Sequence, residues 1–148
     1  MADKADRDKI KVGVGLLVIK DGKVLIGKRK GSFGAEEYGG VGGHLEYGET
    51  LEGAALRELR EECGIQVKNL RLLCVSDLFT YTPRHYVDVG FVADWASGEP
   101  QVLEPHKCDG WEWRGIDDLP ENLFGTEREY IEAYKTGKSY FTVGKAGA

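Results

Sequence analysis

At 148 residues the chain has single-domain length, read here as one domain over residues 1–148 that can bury a core without disulfide or metal staples. Hydrophobic residues at 41% and charged residues at 30% are ordinary values for a folded domain, so disorder is not the expectation. The formal charge of −5 argues against attraction to nucleic acid polymers or anionic membranes, so a small anionic ligand needs a metal ion or clustered Lys and Arg.

Residues 1–9 are expected as a loose, solvated tail, too charged to be a signal peptide. No apolar run approaches the ~18 residues that span a bilayer. The cysteines, Cys63, Cys74 and Cys108, form an odd set without C-x-x-C spacing, as expected of reduced thiols in a cytoplasmic protein. "IKVGVGLLVIK" reads as a strand, Asp21 and Gly22 as a tight turn, and "KVLIGKRK" as the hairpin partner. "GSFGAEEYGGVGG" is glycine-rich and reads as a loop. A helix follows, with Thr50 as N-cap and Gly64 as its terminator. Three β-type runs come next, "IQVKNLRLLCVSDLFT", "HYVDVGFVADW" and "GWEWRG", the last two separated by a long loop. "TEREYIEAYKTG" then predicts a second helix, opened by a capping box of Thr126 with Glu129 and stopped by Gly137. Strands interrupted by two helices predict a mixed α/β (α+β) domain with helices covering a sheet.

The first helix crowds acids at its C-terminal end. On a helical wheel Glu62 lies about 40° to one side of Glu58 and Glu61 about 60° to the other. Leu56, Leu59 and Cys63 gather on a separate stripe that can pack on a sheet. Arg57, one turn before Glu61, can orient it. As a plain solvated face this arrangement is poor: like charges at this spacing repel by a few tenths of a kcal/mol. The negative end of the helix dipole adds roughly 0.3–1 kcal/mol per group. A hard divalent cation, Mg²⁺ or Mn²⁺, turns the crowding into a site, because close oxygen ligands are what it needs.

Gly43, Glu49, Arg57, Glu58, Leu59, Glu61, Glu62, Gly64 and Ile65 match G-x5-E-x7-R-E-U-x-E-E-x-G-U, with U aliphatic, at every position. A chance match at a given start is roughly 10⁻⁹. The stretch resembles the Nudix box, and the flanks "GKRKGS", "GGHLEYGE", "EPHKCDGWEW" and "LPENLFG" resemble the MutT-type branch. The resemblance implies an α/β/α sandwich with a mixed sheet, which hydrolyses a nucleoside diphosphate linked to another group. It implies Glu58, Glu61 and Glu62 as metal ligands, joined by the Gly42 carbonyl and by Glu104 from the long loop. Arg57 and Glu49 are implied as the positioning shell, and Glu61 or Glu58 as the acid that draws the water's proton. Arg29 and His44 are candidates for phosphate, Asn122 for the edge of a nucleobase and Phe124 for its face. The approach to the box departs from the usual W-x-L-P-G-G: Tyr38 stands for the aromatic, and Gly40 and Val41 for Leu and Pro, so the loop is less preset.

The function expected is cleavage of a nucleoside triphosphate, ordinary or oxidised, to monophosphate and pyrophosphate. ADP-ribose, a dinucleoside polyphosphate or a related metabolite is the alternative substrate, and a sensor that binds nucleotide without cleaving it is the alternative of another class. A small nucleotide is the expected partner, and a homodimer stays open.

Overall fold

The computed structural model describes residues 9–31 and 35–145. The expected tail, apart from Lys9, lies outside the described residues, as do residues 32–34 of the glycine-rich stretch.

β1 (Ile10–Lys20) and β2 (Lys23–Arg29) form the expected hairpin. Asp21 and Gly22 turn the chain with φ of 50° and 76°, the pair of left-handed residues that a two-residue type I′ turn needs. The strands stay paired only beside the turn, Ile19 with Val24 and Lys20 with Lys23. Beyond it they part, and the stretch expected as a loop fills the fork. β3 (Tyr38–Gly39) pairs with β2, and β4 (Val41–His44) pairs with β1. Glycines hid these strands, since they show no side-chain alternation while their backbone groups still complete the ladders.

β5 (Gln66–Leu78) and β6 (His85–Ser97) form a long antiparallel pair, and β6 runs parallel to β1 along the edge opposite the fork. β7 (Cys108–Gly115) pairs with β2. β8 (Tyr140–Val143), which no sequence pattern announced, lies parallel to β5. The result is one eight-stranded mixed sheet.

Among the described residues two helices, α1 (Leu51–Glu62) and α2 (Glu127–Thr136), cover opposite faces. Along β1, Val14, Leu16 and Val18 meet Ala54, Ala55 and Leu59 of α1, whereas Leu17 meets Tyr130, Ile131 and Ala133 of α2. The period-2 alternation of the strand thus feeds both layers of the expected α/β/α sandwich. Among the described residues no helix is long and apolar enough to cross a membrane.

Both helices depart in detail from expectation. Thr50 caps α1 by accepting from the Gly53 N–H at 3.0 Å, and Gly64 ends it at φ 73°. Leu56, however, is 40% exposed rather than packed. The sheet-facing arc is centred nearer Leu51, Ala55 and Glu62, so Leu56 lies about 120° from Glu62 on the wheel and turns to solvent. The same rotation carries Glu58 and Glu62 against the sheet. In α2 the capping box does not form. Thr126 makes no side-chain cap bond: its backbone, at φ −100° and ψ 10°, is not extended as an N-cap is, and its hydroxyl donates to Asp88 Oδ2 at 2.9 Å.

Candidate functional site

Arg57 organises the acids of α1. Its Nε and Nη2 donate to the two Glu49 carboxylate oxygens at 3.0 and 2.6 Å, and Nη1 donates to Glu58 at 2.8 Å and Glu61 at 3.3 Å. Nη2 also reaches the His44 carbonyl at 3.0 Å, which ties the helix to the end of β4. The Arg57 bonds and the Glu46 N–H hold the Glu49 carboxyl down at about 2, and the acids around Arg57 raise its own pKa further.

Glu58 and Glu62 face a groove that Glu104, His44, Arg29 and Gly40, Gly42 and Gly43 also line. The Glu58 side chain is 12% exposed. Burial, and then a hydrogen bond and negative field from Glu58, hold the Glu62 carboxyl well above the usual range. Its Oε2 accepts the Gly42 N–H at 3.1 Å. Glu104 comes to the groove because its loop satisfies the end of α1: Gln101 N–H donates to the Cys63 carbonyl, and Leu103 N–H and Trp111 Nε1–H to that of Glu62. Glu61 points elsewhere. It lines no part of the groove, is 44% exposed, and is held by Arg57.

Among the described residues no group of three His, Cys, Asp or Glu side chains stands ready-made to hold a metal ion. The donor chemistry still fits a hard divalent cation. Glu58 hydrogen-bonds the buried Glu62 carboxyl and adds its negative field, Glu104 adds to that field, and all three side chains offer oxygen donors.

Beyond Gly40 the groove opens into a pocket of about 160 Å³ on the α2 side, sharing Arg29, Gly40, Gly42, Gly43 and His44 with the groove. Arg29 lies over the Phe124 ring at 3.7 Å from its centroid, and burial lowers its pKa. Its neighbours on either side pair with acids, Lys28 with Glu36 at 2.8 Å and Lys30, which also lines the groove, with Asp109 at 3.4 Å. His44 lines both recesses, and burial lowers its pKa. Phe124 reaches the pocket, but not as a bare surface: Arg29 and the stacked Tyr81 ring, at 5.4 Å, already pack on it. Asn122 lines neither recess. Its Nδ2 donates to the Glu36 carbonyl at 2.7 Å and its own carbonyl accepts from Tyr38 N–H, so it ties down the turn before β3.

The pocket also holds acids that sequence reading missed. Glu127 is 5% exposed; its Oε2 accepts the Gly40 N–H at 3.1 Å, and its Oε1 has no hydrogen-bond partner among the described residues. Burial pushes its carboxyl up to about 8. Asp88 accepts from the Thr126 and Tyr130 hydroxyls, and burial raises it too. An acid in the first turn of a helix looks like routine dipole compensation, which hid Glu127. The usable signal was glycine inside strands. A Cβ at Gly15 or Gly90 would come within 2.4 or 2.6 Å of the Tyr130 ring or its hydroxyl, so β1 and β6 are bare where α2 presses on them.

Comparison with known proteins gives the same architecture. The chain is 37% identical over 106 residues to "Oxidized purine nucleoside triphosphate hydrolase" of Danio rerio, covering 71% of this chain and 66% of that protein, slightly under two thirds of its length. It is 33% identical over 118 residues to "ADP-ribose pyrophosphatase" of Methanocaldococcus jannaschii, covering 79% and 69%. The crystal structure of a MutT NUDIX hydrolase from Burkholderia pseudomallei superposes with a TM-score of 0.80 at 35% identity, covering 85% of this chain and 98% of that one. Residues 9–134 match the family model of the NUDIX domain, and the chain belongs to that family.

Proposed function

We propose that the chain hydrolyses nucleoside triphosphates, ordinary or oxidised purine forms first, to the monophosphate and pyrophosphate. The observation that carries this reading is the continuity of the two recesses. An acid groove suited to a cation and a pocket suited to a flat ring meet at Arg29 and His44, where a phosphate chain would lie. Relatives named for oxidised purine nucleoside triphosphates support the same substrate class.

In this reading Glu58, Glu62, Glu104 and the Gly42 carbonyl hold Mg²⁺ or Mn²⁺. When bound, the ion offsets phosphate charge and makes hydroxide available near neutral pH. Arg57 holds Glu58 by a hydrogen bond, while Glu49 fixes Arg57. Of the two acids weighed for the water's proton, Glu58 lines the groove and Glu61 does not, which favours Glu58. Arg29, now over Phe124, leaves that ring to fork onto phosphate oxygens, a geometry guanidinium suits. The pocket beside Tyr81 and Glu127 receives the base.

The purified chain, given Mg²⁺ or Mn²⁺ and a panel of nucleotides, is expected to release pyrophosphate and a monophosphate, both identified by mass. Cleavage of ADP-ribose or dinucleoside polyphosphates alone would move the substrate to the alternative class, and inertness across the panel would reject hydrolysis.

A further inference from the structure

The segment at the fork is gripped from both faces of the sheet. Gly40 belongs to neither ladder: β3 ends at Gly39 on β2, and β4 begins at Val41 on β1. Its N–H donates to Glu127 of α2, and two residues on, the Gly42 N–H donates to Glu62 of α1, each at 3.1 Å. These carboxyls come from helices on opposite sides of the sheet, so the short backbone from Gly40 to Gly42 connects the pocket to the acid pair.

The contact is close on both sides. A Cβ at Gly40 would meet Glu127 Oε1 at 3.0 Å, and one at Gly43 would meet Glu58 Oε1 at 2.3 Å. Glu127 is itself immobilised. Asp88 on β6 accepts from Thr126 and Tyr130, which pins the first turn of α2 to the sheet on either side of Glu127. Tyr38, by contrast, is tied to the stretch before α2, through Asn122 and Phe124 backbone bonds. The strand is thus held before Gly40 by a loop and after it by β1, and at Gly40 by the Glu127 carboxyl.

We infer that Glu127 is a positioning residue for the acid pair: through the Gly40 N–H it holds the Gly40–Gly43 segment against Glu62, and so sets how tightly Glu58 and Glu62 take a divalent cation. The inference rests on the cation-binding reading of the groove. It differs from a role in reading the base, since it predicts an effect with no nucleotide present.

The test is Mn²⁺ binding to the full chain without nucleotide, followed by the paramagnetic resonance of free Mn²⁺, alongside melting temperatures. Wild type is expected to take up Mn²⁺, Glu127→Ala to bind it about tenfold more weakly, and Glu127→Gln, which keeps an acceptor for Gly40, to restore affinity to within twofold. Glu127→Asp, a methylene short of Gly40, should behave as Ala and serves if Ala does not fold. A second measurement needs no variant: Mn²⁺ should slow amide exchange at Gly40 as well as at Gly42. A folded Glu127→Ala with wild-type Mn²⁺ affinity and only a lower melting temperature would overturn the inference, as would slowing confined to Gly42. Absence of Mn²⁺ uptake by wild type would instead reject the cation site itself, a distinct result.

Discussion

Arg57 and Glu49 are joined twice, Nε to Oε2 at 3.0 Å and Nη2 to Oε1 at 2.6 Å, in the planar fork that only a guanidinium makes. The remaining Nη1 holds Glu58. The pair is a bracket whose purpose is to aim a third residue. Arg57→Lys keeps the charge but loses the fork, so turnover is predicted to fall on the order of 10–100-fold, as for other partners behind a metal ligand. Glu49→Gln should fall comparably, and the double variant should be no worse than the poorer single one. Steady-state kinetics on the three proteins checks this; fully additive losses would show that the two residues act separately.

Glu62→Gln separates catalysis from stability. The carboxyl is buried beside Glu58, and that burial holds its pKa up, so a neutral amide is easily accommodated in the cation-free protein. Turnover is predicted to drop by about 10² or more, with a melting temperature in chelator equal to or above wild type. Glu61→Gln, at an exposed acid outside the groove, should lose less than Glu58→Gln or Glu62→Gln. A collapse of activity in Glu61→Gln equal to theirs would return the proton-transfer role to Glu61.

Stability should depend on pH through Glu127. Its carboxyl keeps a proton up to about 8 in the folded protein and releases it near 4.5 in the unfolded chain. The stabilisation from the neutral form is therefore full below pH 4.5, declines as pH rises and is gone above about 8. Asp88, which faces Glu127, is raised by burial and acts with the same sign. Denaturant unfolding in chelator between pH 5 and 8.5 should show falling stability, and Glu127→Gln should make the fall shallower. An identical slope in wild type and variant would remove Glu127 from the account.

Gly43→Ala tests the closeness of β4 to the acids. The new Cβ would stand 2.3 Å from Glu58 Oε1, and the side chain, being flexible at its end, can swing away without unfolding the sheet. The expected outcome is a folded protein whose turnover falls by at least about 10-fold, because Glu58 leaves the groove. Near-normal kinetics would mean that Glu58 has room the structure does not give it.

The rotation of α1 is testable with two leucines. Leu59 is buried at 3% exposure, and its truncation to Ala is predicted to cost about 2–5 kcal/mol. Leu56, at 40% exposure, should cost no more than about 0.5 kcal/mol. Comparable losses from denaturant unfolding would restore the stripe drawn from sequence spacing alone.

What could be read from the chain without its fold was local. A hairpin turn at Asp21 and Gly22, the cap at Thr50 and the acids of one helix each depend on residues a few positions apart, where backbone geometry fixes the spacing. Most of the family motif is of this kind, since Arg57, Glu58, Glu61 and Glu62 share a single helix.

Tertiary structure decided what depends on distant partners. Thr126 and Glu129 have the spacing of a capping box, yet Asp88, 38 residues away, takes the hydroxyl. Glu127 and Gly40 are 87 residues apart, and only the packing of α2 on the sheet brings them together. β3 and β4 exist because β1 and β2 separate, and β8 because β5 offers an edge. Local spacing specified which side chains could hold a cation; burial and long-range hydrogen bonds determined which of them face the groove, because desolvation and close packing are set by the whole sheet and both its helices.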